Sequence, residues 1–497
     1  KAPRPQTRAG DTAPPKAAPA QETDHVNTDA RAFLREYEAS LSKLEVRANL
    51  ASWKAANSGK KEDFAAAARA ALAVRKLHSD AGAYERLKGL IRAAHELPPV
   101  EARALHVAEL AYRANQLPAD LLGQMVELST EIERALSTFR AEMDGKRFSN
   151  NDLLEMLARE DDSQRRERIW EALKQVGDAV APRLVKLAVL RNQAARRLGF
   201  DNYWEMQVRL QEQDPRELLA IFDELERLTR KPFTEAKAEM DRELAARFKV
   251  APAELMPWHY DNPFFQAAPP TGKVDLDEFY QGKTKEDIVE IARVFYRGIG
   301  LPVDDVLKRS DLYERPGKDQ HAFCTSINRA GDVRTLCNIK PTSEWMGITL
   351  HELGHAVYDL HVNRRLPYNL REPAHAFTTE AVAMLFGALG ENPRWLVDSA
   401  GADKARVEQL AGAIRQQRRR GQLIFARWTL VMLHFEKDLY EDPQQDLNAL
   451  WWKHVVRHQQ LKRPPGRNRP DWAAKPHFTI APVYYHNYML GEMFAAQ

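Results

Sequence analysis

Cysteine is nearly absent: two residues in 497 allow at most one disulfide and exclude a disulfide framework. Glycine is scarce too, at 23 residues, which excludes a collagen-like chain. No apolar run reaches membrane-spanning length. The best candidate, Leu423 to Leu433, is short and carries Arg427, so no helical membrane span is expected. Charge of one sign is also lacking. Seventy-three basic residues against 70 acidic give a net +3, too weak a field to point to nucleic acid. What is present is 44% hydrophobic and 29% charged residues, rich in Ala, Leu, Arg and Glu. That composition fits a large, mostly α-helical protein with a sizeable core.

Length alone would suggest about three domains, but the pattern along the chain does not divide. Residues 1–28 are Pro- and Ala-rich with few large apolar side chains, and read as a disordered tether. The start at Lys1 fits a mature exported protein, periplasmic or secreted, although a trimmed cytoplasmic chain would look the same. From residue 29 to 497 a single helical domain is expected. Phe33, Tyr37, Leu41 and Leu44 repeat at helical spacing, and Leu153–Leu198 and Pro215–Phe248 read as long amphipathic segments. The run Arg418–Arg420 reads as a solvated helix face. Between Ala251 and Pro341 prolines interrupt the helices. There His321–Ile327 and Asp332–Ile339 read as a hairpin turning at Asn328–Gly331. Cys324 and Cys337 either pair across it or remain two buried thiols, with no functional thiol expected.

Helices resume where Thr342 or Ser343 can cap the next one, and that helix contains His351-Glu352-Leu353-Gly354-His355. Residues i and i+4 share one helix face, so both imidazoles can reach one metal ion. Glu352 is offset around the helix and can serve as general base toward a water held there. A third protein ligand is needed. His361 lies six residues past His355, the metzincin spacing, but Tyr358 stands where that class needs a turning Gly. The helix therefore continues and leaves His361 about 120° away around the axis. Glu380, 25 residues after His355 in an otherwise apolar helix, is the expected third ligand, with a structural ion pair as the alternative, because a lone buried carboxylate is costly unless it binds a metal or a cation.

Taken together, His-Glu-Leu-Gly-His, Leu366-Pro-Tyr-Asn-Leu-Arg371 and Glu380 resemble the angiotensin-converting-enzyme family of zinc dipeptidyl carboxypeptidases. They are also similar to the related thimet oligopeptidase and oligopeptidase F. The resemblance implies a helical ellipsoid whose two subdomains flank a deep central channel, one zinc ion at its floor, and oligopeptide substrates. It further implies that His477 and Tyr488 bind the oxyanion and that Lys475, with Tyr485 or Tyr484, grips the substrate's C-terminal carboxylate. His321 and Ala322 would lie on the edge strand that pairs with the peptide. Three departures stand out. Asn487 replaces the family's chloride-holding Arg, so chloride activation through that position is not expected. Met384 replaces an Asp that supports a zinc His, and the clamp's Gln falls at Tyr260 or a neighbour. His321-Ala-Phe-Cys324 also resembles the oligopeptidase hairpin. The expectation is thus a zinc peptidyl-dipeptidase, with an oligoendopeptidase, a single-residue helical metallocarboxypeptidase and a zinc-free peptide-binding protein as alternatives.

Overall fold

The computed structural model describes residues 20–269 and 274–497. Among them are eighteen α-helices and two small antiparallel hairpins, so the protein is mostly α. The first helix, Ala20–Ser58, begins inside the segment expected to be a tether; residues 1–19 of that segment lie outside the described ones. No helix among the described residues is long and apolar enough to cross a membrane.

Caps explain several boundaries. The expected segment Leu153–Leu198 is two helices, Asn150–Arg159 and Ser163–Arg197. Asp162 starts the second by accepting from the Arg165 amide, a role that favours a fresh N-terminus over a continuous helix. The hairpin Phe323–Ser326 with Val333–Leu336 is shorter than expected and puts Cys324 opposite Thr335. Cys337 lies past the strand end, and both thiols are free. A second hairpin, Ala141–Met143 with Lys146–Phe148, has strands too short to leave a periodic signal.

Apolar side chains gather into two main clusters. One contains Met346, Leu350, Leu353 and Val357 of the helix Ser343–His361, together with the hairpin. The other contains Trp258, Phe265, Trp472, Phe478, Val483 and Tyr485. The long helix Lys404–Glu441 runs through both, giving Val407, Leu410 and Ile414 to the first and Ile424 to Tyr440 to the second. Arg420 on this helix is buried against Glu239 and Glu243, so the Arg418–Arg420 run is not wholly a solvated face. The N-terminal helices form a third cluster around Phe33, Tyr37 and Tyr112. Arg329 and Asn49 tie them to the hairpin turn through Glu45 and the Ser326 and Ile327 carbonyls.

Candidate active site

The helix Ser343–His361 starts where the Thr342 hydroxyl accepts from the Trp345 amide, and its apolar face packs into the first cluster. That packing fixes the opposite face. His351 and His355 stand with ring centroids 4.8 Å apart and nearly perpendicular. The next helix, Ala376–Gly387, brings Glu380 between them. Its Oε2 lies 3.6 Å from His351 Nε2 and 3.5 Å from His355 Nε2. These three side chains converge. His361 does not join them: it is exposed and its Nδ1 lies 2.8 Å from the Val357 carbonyl.

Two glycines allow this approach. A Cβ on Gly354 would meet Ala383 Cα at 2.8 Å, and one on Gly491 would meet Glu380 Cβ at 2.7 Å. The Glu380 helix is thus pressed between the motif helix and the C-terminal helix His486–Ala496. Supporting bonds orient the donors. Tyr484 donates to Glu380 Oε1 at 2.6 Å, and His355 Nδ1 pairs with Thr379 Oγ1 at 2.8 Å. Thr379 therefore supports His355, and Met384 supplies no polar contact there. Burial and the neighbouring His355 push His351 down to about 4, which leaves it a neutral imidazole. Burial pushes Glu352 up to about 7. Burial would raise Glu380 too, but His355, His351 and the Tyr484 hydroxyl hold its carboxyl below the ordinary value.

Opposite these groups, His477 Nε2 lies 3.2 Å from the Tyr488 hydroxyl, and the two rings pack with Tyr485. Tyr488 is close enough to Glu380 and Glu352 for their charges, after burial, to raise its hydroxyl. Burial, with Lys475 and His321, holds His477 well below its usual range. The turn carrying these residues bends at Val483, whose φ of 55° is unusual for a β-branched side chain. Its amide donates to Glu436 Oε1 at 2.8 Å and its carbonyl accepts from Gln211. Asn487 bonds Gln211 and Gln213.

Lys475 lies buried, with Nζ 2.7 Å from Gln266 Oε1 and 5.4 Å from the ring centres of Phe264, Trp428 and Tyr485. The Gln beside the lysine is therefore Gln266. Tyr260 is bonded to Asp241 and Lys237. Of the two tyrosines, Tyr485 stands at Lys475, its hydroxyl accepting from Trp428 at 2.6 Å, while Tyr484 belongs to Glu380. His321 and Ala322 precede the strand instead of lying within it. His321 is exposed and paired with Asp319 at 3.5 Å, and Ala322 packs on the first cluster.

The family model described as angiotensin-converting enzyme matches residues 24–497, nearly the whole chain. The chain belongs to that peptidase family. Comparison with curated proteins returns no match. Angiotensin-converting-enzyme-like peptidases depend on zinc, and the residues present fit that ion. Glu380 Oε2 is buried with no hydrogen-bond partner among the described residues. It faces two imidazole nitrogens, and His-His-Glu is a donor set that zinc favours. Gln266, Thr379, Glu436 and Gln211 were missed in the sequence, because a single amide, hydroxyl or carboxylate carries no spacing signal.

Proposed function

We propose that this metallopeptidase is a peptidyl-dipeptidase, releasing C-terminal dipeptides from oligopeptides. Lys475 carries the reading. It is 8% exposed, and among the described residues no carboxylate pairs with it, so burial alone drives its ammonium down to about 7. A buried, unpaired cation beside an amide oxygen and three aromatic rings suits a carboxylate brought by a ligand. It lies two residues before His477, so the distance from the cut to the substrate's end would be short and fixed.

His351, His355 and Glu380 would hold zinc, which when bound supplies a Lewis acid that acidifies water and polarises the scissile carbonyl. Glu352 takes one proton from the attacking water and delivers it to the leaving nitrogen. The Tyr488 hydroxyl and the neutral His477 imidazole donate to the carbonyl oxygen as charge develops on it, an arrangement worth a few kcal/mol per donor. Lys475, Gln266 and Tyr485 bind the C-terminal carboxylate. His321 and Ala322 immediately precede the strand Phe323–Ser326, which among the described residues pairs only with Val333–Leu336; a peptide backbone running along the strand's other edge would pass beside them.

The test is product mass spectrometry on matched peptides ending in a free acid or an amide. Dipeptide release from the acid, reduced about 10- to 100-fold by amidation, is the expected result. Equal internal cleavage of both would mean an oligoendopeptidase, and release of single residues a carboxypeptidase. Absence of zinc and of any chelator-sensitive cleavage would leave only peptide binding.

A further inference from the structure

A second group of metal-type donors stands on other elements and shares no residue with the active site. Glu226 comes from the helix Pro215–Phe248 and His434 from the helix Lys404–Glu441. His458 comes from the π-helical turn Val455–Gln459 that follows the helix Leu447–His454. One donor atom from each lies within 4.8 Å of the others, a bound that His351, His355 and Glu380 also meet. His458 is fully buried, yet among the described residues neither of its ring nitrogens has a hydrogen-bond partner, and His434 Nε2 is likewise buried and unpartnered. Buried polar atoms are rarely left unsatisfied, and π turns recur at functional positions.

We propose that Glu226, His434 and His458 form a second metal site for a borderline dication of the zinc class, the kind that imidazole and carboxylate donors favour. Three features support it. His458 Nδ1 already lies 3.9 Å from Glu226 Oε1. The His434 and His458 rings stand 5.1 Å apart between centroids, close to the 4.8 Å that separates His351 and His355. The ring of His454 runs parallel to both other rings and is fixed through Nε2 to Asp438 at 2.9 Å. Among the described residues its Nδ1 is buried and unpartnered too.

The arginines set the strength of the site. Glu226 is paired with Arg230 at 2.8 Å and Arg457 at 3.1 Å, both more than half exposed, and with buried Arg427 at 3.9 Å. Arg230 and Arg457 can turn to water. Arg427 is also bonded to the His458 and Glu226 carbonyls and stays. A dication therefore competes with guanidinium charge, and this site binds more weakly than the catalytic one.

The test strips the full-length protein with a chelator and titrates it with Zn2+, reading bound metal by equilibrium dialysis. Two equivalents are expected, with the weaker one removed first by graded chelator. His434→Gln and His458→Gln should each bind one equivalent and keep peptide cleavage, whereas Glu380→Ala should keep the weaker equivalent and lose cleavage. If His458→Gln does not fold, half-buried His434→Gln carries the test. Visible absorption of Co2+ at the weaker site, absent from that variant, is the second readout. A single equivalent at saturating zinc would overturn the proposal, as would a second one that survives His434→Gln, and the cluster would then be a buried polar junction filled by water.

Discussion

Glu352 and Glu380 are two buried carboxylates near the same pair of imidazoles, and their surroundings divide their work. Glu380 is held ionised by His355, His351 and Tyr484, as a ligand must be. Glu352 is raised to about 7 by burial, where it can both take and return a proton. Glu352→Gln should therefore keep zinc while losing about 100- to 10,000-fold in kcat, read by metal analysis beside turnover. Loss of zinc in that variant would contradict the division. Tyr484→Phe tests the reassignment of that tyrosine. It should weaken zinc binding by about 10- to 100-fold, the usual worth of a supporting bond to a ligand, and leave the preference for acid over amide peptides unchanged. An altered preference would return Tyr484 to the carboxylate clamp. At this scale the donors were legible, because metal chemistry admits few residue types at few spacings. The amide beside Lys475 was not: Gln266 meets it across 209 residues of chain, and nothing near either position in sequence signals the meeting.

Between elements, glycine and one strained turn decide the geometry. On Gly491, a methyl group would push against Glu380 Cβ at 2.7 Å and the Ala381 amide at 3.1 Å. Overpacking of this kind costs about 1–3 kcal/mol, more than the roughly 1 kcal/mol that Ala gains over Gly in a helix. Gly491→Ala should lower both the melting temperature and zinc affinity. Gly412→Ala, on an exposed helix position with no atom within 4 Å, should instead raise stability by about 0.5–1 kcal/mol. Equal effects from both would mean that the helices at the site yield freely. The Val483 turn gives a pH signature. Burial raises Glu436 to about 8, whereas an unfolded Glu titrates near 4.3, so the folded state keeps a proton that the unfolded state releases. The stability this contributes is complete below about 4.3 and is lost as pH rises to about 8. Glu436→Gln keeps the acceptor for the Val483 amide without that loss. Its melting temperature relative to the parent should climb from pH 5 to pH 8 and then level off; a constant difference would remove the buried proton from the account. The motif helix and its hairpin were readable from cap, periodicity and turn. The φ of Val483 was not, since an ordinary Val forced into that conformation by its neighbours looks like any other Val.

Across the whole molecule, the site joins two apolar clusters. The metal donors rest on one, His477, Lys475 and Tyr485 on the other, and the helix Lys404–Glu441 passes through both. Composition and period made a mostly helical chain legible, but neither carries information about which buried face meets which. The consequence is that metal binding and substrate measurement can be separated by experiment. Burial pushes the Lys475 ammonium down to about 7, while a peptide's terminal carboxylate stays ionised throughout the neutral range. If Lys475 is the carboxylate clamp proposed above, it holds the carboxylate with an ammonium below about pH 7, and above it the charge-assisted part of that bond is lost. The pH dependence of kcat/KM for any one peptide mixes this titration with those of other groups. Dividing the value for a free-acid peptide by that for its amide cancels groups that act on both. The ratio should stand at about 10 to 100 at pH 6 and fall toward one by pH 9. Lys475→Ala should hold it near one at every pH, with zinc content unchanged. A ratio that stays high at pH 9 in the unmodified enzyme would place the carboxylate on some other cation and remove Lys475 from the measurement of the substrate.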